Sequence, residues 1–302
     1  MPTRLAYQGA SVSNFFALQL EGQHCCWVHR SFGGGIYAEV ASEPGSEHHL
    51  EKQIGSPRYE DVVLDLGFPL DHKIGAWISS SWKMEHRRLN GSIIAFDGEQ
   101  ALTERKFAHA VLGATTIPDL DAASPTLGFL RVHLSPERSE LHRRPKVQMP
   151  PADPIAQMPF QVSNFKLTIE GLDCEDVVKI DSFTVRQAVH RHAVGEHPGI
   201  HQLEPGRVEV PKLILTLADR KSADGWYAWL KSFVVEGKNG VKEMKKGMLA
   251  LLPTDERLKG VQINLINLGL SRMTEPESGD QEQFHSIRVE LYCERMEFVV
   301  PA

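Results

Sequence analysis

The sequence predicts a mainly β fold with one helix per domain, built as two tandem domains, each a small β-sandwich or half-barrel. Three observations predict it. The stretch VSNFFALQLEG at Val12–Gly22 returns as VSNFKLTIEG at Val162–Gly171. Short runs of alternating apolar residues, closed by glycine, recur in both halves. Each half also holds one segment with apolar residues at helical spacing.

The elements follow the same order twice. Phe16, Leu18 and Leu20 alternate in the first opening strand, and Phe165, Leu167 and Ile169 in the second. Gly22 and Gly171 turn the chain into second strands, CCWVHRSF and CEDVVKIDSFTVRQAV. Polar loops are expected at 42–57 and 190–207. Strands resume at YEDVVLDLG and VEVPKLILTLA. The helices are LDHKIGAWISSSWKM, with Leu70, Ile74, Trp77 and Ile78 on one face, and SADGWYAWLKSFVVEG, with Trp226, Trp229, Leu230 and Phe233. Ser222 suits an N-cap and Gly237 a C-terminal stop. Glycine then opens the strands GSIIAF and GMLALL, and the last strands are LGFLRVHLSPE and SIRVELYCERMEFVV.

Between the halves, Pro136, Pro145, Pro150, Pro151, Pro154 and Pro159 remove backbone donors and fix φ. The expected division is a first domain at 1–138, a stiff Pro-rich linker at 139–160 and a second domain at 161–302.

Bulk chemistry narrows the function. The 302 residues carry 33 basic and 39 acidic groups, a net charge of −6, which disfavours a dedicated nucleic-acid binder. No apolar run is long enough to span a membrane, and the N-terminus lacks a secretory stretch, so synthesis in the cytosol is expected. Cys25, Cys26, Cys174 and Cys293 form no CxxC pair and suit reduced, partly buried thiols. Cys25 and Cys26 are neighbours on a strand and should face opposite ways.

Several stretches carry a family resemblance. Asn14-Phe15 with Gly22, YEDVVLDLGFPLDHKIGAWI, RRLNGSIIAFD and FAHAVLGATTIPDLDAASPTLGFLRVHLSPE resemble the tail tube proteins of contractile phages and contractile injection systems. The likeness covers roughly residues 10–138. SNFKLTIEGLD, LTLADRKSADGWYAWL and RVELYCERMEF repeat it more loosely, without the Asn-Gly-Ser and Asp-Ala-Ser motifs. The resemblance implies a structural, non-enzymatic protein without cofactor. Its domains pair sheet edges into a six-domain ring, and rings stack into a hollow tube. Two such domains per chain imply a pseudo-hexameric trimer or a hexamer with two fused rings. The partners implied are further copies of itself and other tube, baseplate or sheath components, in the bacterial cytoplasm during assembly and then within a phage-tail-like particle. An adaptor or hub joining tube to spike or terminator is the alternative.

Inter-subunit contacts are expected from the polar loops, at Ser42, Glu47, His48, His49, Glu51, Lys52, Arg58, His192, Glu196, His197 and His201. The rival reading takes His190, His192, His197 and His201 as ligands of zinc or nickel in a metal-dependent enzyme. Their spacing matches no closed structural site, and a His-rich polar interface loop is the simpler account. Gly33-Gly34-Gly35 lacks the following helix that a phosphate cradle needs and reads as a turn or bulge.

Overall fold

The computed structural model describes residues 15–44, 50–150, 160–193, 201–218, 220, 222–253, 260–275 and 286–300. It is mainly β, with a nearly closed barrel-like sheet. The first half runs β1 (Phe15–Leu20), β2 (Gln23–Val28), β3 (Arg30–Gly33), β4 (Ile36–Pro44), β5 (Leu50–Tyr59), β6 (Val62–Leu66), α1 (His72–Trp82), β7 (Leu89–Asp97) and β8 (Gln100–Ile117). It continues through β9 (Leu120–Asp121), β10 (Leu127–Gly128), β11 (Leu130–Ser135) and β12 (Arg138–Arg143). The second half runs β13 (Phe160–Gln161), β14 (Phe165–Ile169), β15 (Val177–Ile180), β16 (Phe183–Ala193), β17 (His201–Glu209), β18 (Leu213–Ala218) and α2 (Ala223–Leu230). A π-helical turn, Lys231–Val235, extends α2 before β19 (Lys245–Leu251), β20 (Val261–Thr274) and β21 (Ser286–Val299).

Two sheets dominate, and they share one strand order. The first reads β1-β7-β8-β11-β6-β3, with β2 outside β1; the second reads β14-β19-β20-β21-β18-β15. Chain order matches as well, because α1 and α2 each sit between a strand near one edge and the next strand near the other.

The irregularities match too. Gly91 and Gly247 each stand at a register shift against the neighbouring long strand. In that strand His109 and Asn267 take positive φ, 48° and 58°. A Cβ on Gly91 would lie 2.3 Å from the Gln19 carbonyl oxygen, and one on Gly247 would lie 2.9 Å from that of Thr168. Glycine is needed at both places because another backbone crosses there. A second shift falls at His133/Leu134 in β11 and at Leu270/Arg272 in β20. A third falls at Ala38/Val40 in β4 and at Gln187/Val189 in β16.

Both helices bury apolar residues in the same core as the sheets. Trp77 and Trp226 are fully buried, and each indole satisfies its N–H on a loop carbonyl, Arg87 O at 3.0 Å and Asp173 O at 2.9 Å. Trp229, Phe233 and Tyr292 continue the aromatic row under the second sheet. α1 starts on Asp71, whose carboxylate accepts from the Lys73 N–H at 2.8 Å. Ser222 precedes α2 without a capping bond; its hydroxyl donates to Asp176 instead, at 2.6 Å. Gly237 ends the helical segment at φ 69°.

Several expectations need correction. The stretches 42–57 and 190–207 are not loops: β4–β5 and β16–β17 are antiparallel hairpins across most of them. β12 occupies 138–143, a proline-free gap between Pro136 and Pro145, and pairs with β8. Beyond it, Val147 and Met149 pack against Ala17, Ile94 and Phe96. Cys25 and Cys26 do not face opposite cores. The β1–β2 ladder slips between Leu18 and Gln19, so Cys25 has no partner across the ladder, and both thiols enter the same core cluster.

Candidate assembly interface

The two sheets meet edge to edge within the chain. Beyond Ala110, β7 no longer covers β8. The freed edge of β8 takes β16 instead, with Phe183 opposite Ile117, Thr184 opposite Thr116, Val185 opposite Thr115 and Arg186 opposite Ala114. Just beyond Pro118, β9 pairs with β15. β-Branched residues line this seam (Thr115, Thr116, Ile117, Thr184 and Val185), as a pleated pairing surface favours.

One face of the seam is buried, and the other, carrying Ala114, Thr116, Thr184 and Arg186, is partly open. Ile117, Leu120, Ile180, Phe183 and Val185 are buried. Thr116 and Thr184 share a hydroxyl hydrogen bond of 2.9 Å. Backbone bonds continue the join, with Ser182 N–H donating to the Asp119 carboxylate at 2.8 Å and Ala122 N–H to Val178 O at 2.9 Å. Near the end of α1, Ser81 Oγ lies 3.1 Å from both Leu112 O and the Gln187 side-chain oxygen.

α1 also reaches across to the second sheet. Trp82 packs edge-on against Phe298, centroids 5.3 Å apart. A Cβ on Gly75 would lie 2.5 Å from a Val300 methyl, so glycine lets β21 approach the helix. The hairpin β16–β17 leans on the first half through Leu203 N–H, which donates to the Glu137 carboxylate at 2.9 Å. Arg191 donates to Pro136 O at 3.3 Å.

Beside the seam lies a cleft of about 470 Å³, lined by Asp61, His133, Arg186, Arg191 and Glu209 among others. Burial lowers the His133 pKa below its usual 6.5; Asp61 pulls it back up, while Arg131 and Arg186 push it down. The cleft holds charges of both signs, with Arg191 3.5 Å from Asp61.

The sequence-derived contact residues fall on the hairpins. Ser42 pairs with Lys52 and Glu43 with Glu51 across the β4–β5 ladder, and all four are exposed. Arg58 bridges Glu39 at 2.8 Å. Glu47, His48, His49, Glu196 and His197 lie outside the described residues, as does the side chain of His201. His190 and His192 share one face of β16, opposite Glu204 and Gln202, and His192 lies 3.1 Å from Glu204. Among the described residues no three His, Cys, Asp or Glu side chains gather as a metal set. No helix among them is long and apolar enough to cross a membrane.

The residues that build the seam, Ala114–Ile117 and Phe183–Arg186, were not among the sequence-derived candidates. Their signal is the run Thr115-Thr116-Ile117 ahead of Pro118, strand-forming but without a clear polar face.

No family model and no curated protein matches the chain. Solved structures do. One is a chain of the PVC sheath-tube complex of an extracellular contractile injection system, in its extended state. It is 15% identical, with 47% of this chain and 99% of that one covered at a TM-score of 0.40. A chain of the PVC sheath/tube terminator is 17% identical, covering 45% of this chain and 99% of that one, also at 0.40. A chain of the anti-feeding prophage tube-terminating cap is 17% identical, covering 50% and 97% at 0.36. The structural neighbours are thus components of contractile injection particles, each matching about half of this chain.

Proposed function

We propose that this chain is a structural subunit that closes into a ring by pairing sheet edges, three chains forming a pseudo-hexamer around a central pore. The two halves are duplicated domains, and the seam within the chain is the first of the ring's junctions. The observation that carries this reading is the β8–β16 and β9–β15 pairing. It joins the two sheets side by side, not face to face. A side-by-side join leaves one half's outer edge and the other half's opposite edge open, and repetition by rotation is the common way such edges are satisfied. The resemblance of residues 10–138 to tail tube proteins supports placing the ring in a phage-tail-like or contractile injection particle, with a non-enzymatic role, assembled in the bacterial cytoplasm.

The two hairpins favour a hub or adaptor over a uniform tube. β4–β5 exposes Val40, Leu50 and Ile54, whereas β16–β17 carries His190, His192 and Glu204. A ring alternating these hairpins presents threefold faces, which suit a join between parts of different symmetry. Native mass spectrometry tests the stoichiometry. A dominant species of three times the chain mass is expected; a sole monomer across a wide concentration range contradicts it.

A further inference from the structure

We infer that the contact between neighbouring copies repeats the internal seam residue for residue, with Ile36 of one chain opposite Met273 of the next. The inference rests on the ring reading and fixes its register. Three pairs of shared irregularities supply the alignment. In the long strands, His109 matches Asn267, so the segment Ala114–Ile117 of β8 matches Arg272–Glu275, the end of β20 and the residue after it. In the hairpins, Ala38 and Gln187 both immediately precede the register shift, so Ile36 and Tyr37 match Val185 and Arg186.

The matching edges are open among the described residues. β19 stops covering β20 after Leu268, as β7 stops covering β8 after Ala110, yet no strand takes the place that β16 takes on β8. β4 pairs only with β5. Gly35 accepts from Glu60 N–H at 2.9 Å and donates to the Glu60 carboxylate at 3.0 Å, so both its backbone groups face β5. Backbone groups alternate sides along a strand, so those of Ile36 face the open edge.

Exposure tells the same story from the side chains. Val185 is 2% exposed at the internal seam; its match Ile36 is 55% exposed. Phe298 is 0% exposed beneath α1; its match on β12, Leu141, is 47% exposed. On the other side, Val234 and Val235 beside α2 are exposed apolar residues where the next copy's Leu141 would arrive. The internal seam buries what the two outer edges leave open, and a second copy is the occupant whose shape and pairing are already present in the chain. The transposed ladder sets Gly35 against Thr274, Ile36 against Met273 and Tyr37 against Arg272.

Paired cysteines test the register in the full chain. Ile36→Cys with Met273→Cys, in a Cys174→Ser background, should give reducible covalent trimers under a mild oxidant; each single variant should not. Ala38→Cys with Met273→Cys is the control, slipped by two residues on the same face. A trimer by native mass in which only the slipped pair cross-links, or neither does, overturns the register and leaves the ring standing. A protein that stays monomeric overturns both. Hydrogen exchange on the unmodified chain guards against variants that misfold. The Ile36 and Met273 amides should exchange more slowly in assembled than in diluted protein, and equal rates contradict the proposal.

Discussion

Asp65 is 1% exposed, and it is held from two sides. Arg131 donates to both its oxygens, at 2.7 and 3.1 Å, and Arg30 lies at 3.0 Å. Two guanidinium partners satisfy a carboxylate that burial alone would penalise. The matching strand carries Thr216 there, and the acid moves to Asp181, bonded to Arg288. The arginine is kept while its partner changes. Two histidines are placed less favourably. Burial lowers the pKa of His24 and of His133, so each binds its proton less tightly in the folded chain than in the unfolded one. The unfolded chain then holds more protons between the lowered value and 6.5. Stability is full above 6.5 and falls as pH drops below it. Thermal unfolding should show a lower midpoint at pH 5 than at pH 7, and His133→Gln should shrink that difference. A midpoint equal at both pH values would contradict the placement of both rings.

At the scale of elements, strands and helices were legible where a core imposes a pattern. The opening strands and both tryptophan helices could be read because residues sent into a core recur at period 2 or 3.6, whereas β7 and β19, buried on both faces over Ser92–Phe96 and Leu249–Leu251, were read from a glycine and an apolar run. The hairpins could not be read in that way. β5 is exposed along nearly its whole length, so no buried face sorts its residues, and polarity alone reads as loop. β8 and β20 were missed for another reason: each changes neighbours midway, and its alternation is interrupted by a bulge. The glycines two residues into β7 and β19 were visible in the sequence, but their cause was not, because it lies in a backbone crossing from a distant strand. Gly91→Ala should therefore cost about 2 kcal/mol by overpacking, read as a lower urea midpoint with unchanged slope. Gly98→Ala is a poorer comparison, since Gly98 needs its positive φ, 56°, although a Cβ there meets nothing. A loss at Gly91 of less than a few tenths would contradict the close approach.

At the scale of the molecule, one edge-to-edge join lies within the chain, and the matching edges of β20 and β4 carry no strand among the described residues. A sheet edge is a row of unpaired donors and acceptors, and proteins cover, charge or close such rows. In the proposed ring, further copies cover the β20 and β4 edges that carry no strand among the described residues, together with the exposed Ile36 and Leu141. The sequence drew attention to the histidines and charges of the hairpins, whereas a Thr-Thr-Ile seam carries no such marker.

A cryo-EM reconstruction of the purified full-length protein tests this account most directly. It should show a closed ring of six similar sheets with true threefold symmetry, in which three junctions lie within chains, three lie between chains, and all six superpose. A single unpaired chain with both outer edges facing solvent, or a ring whose copies meet through faces other than the β20 and β4 edges, would contradict it.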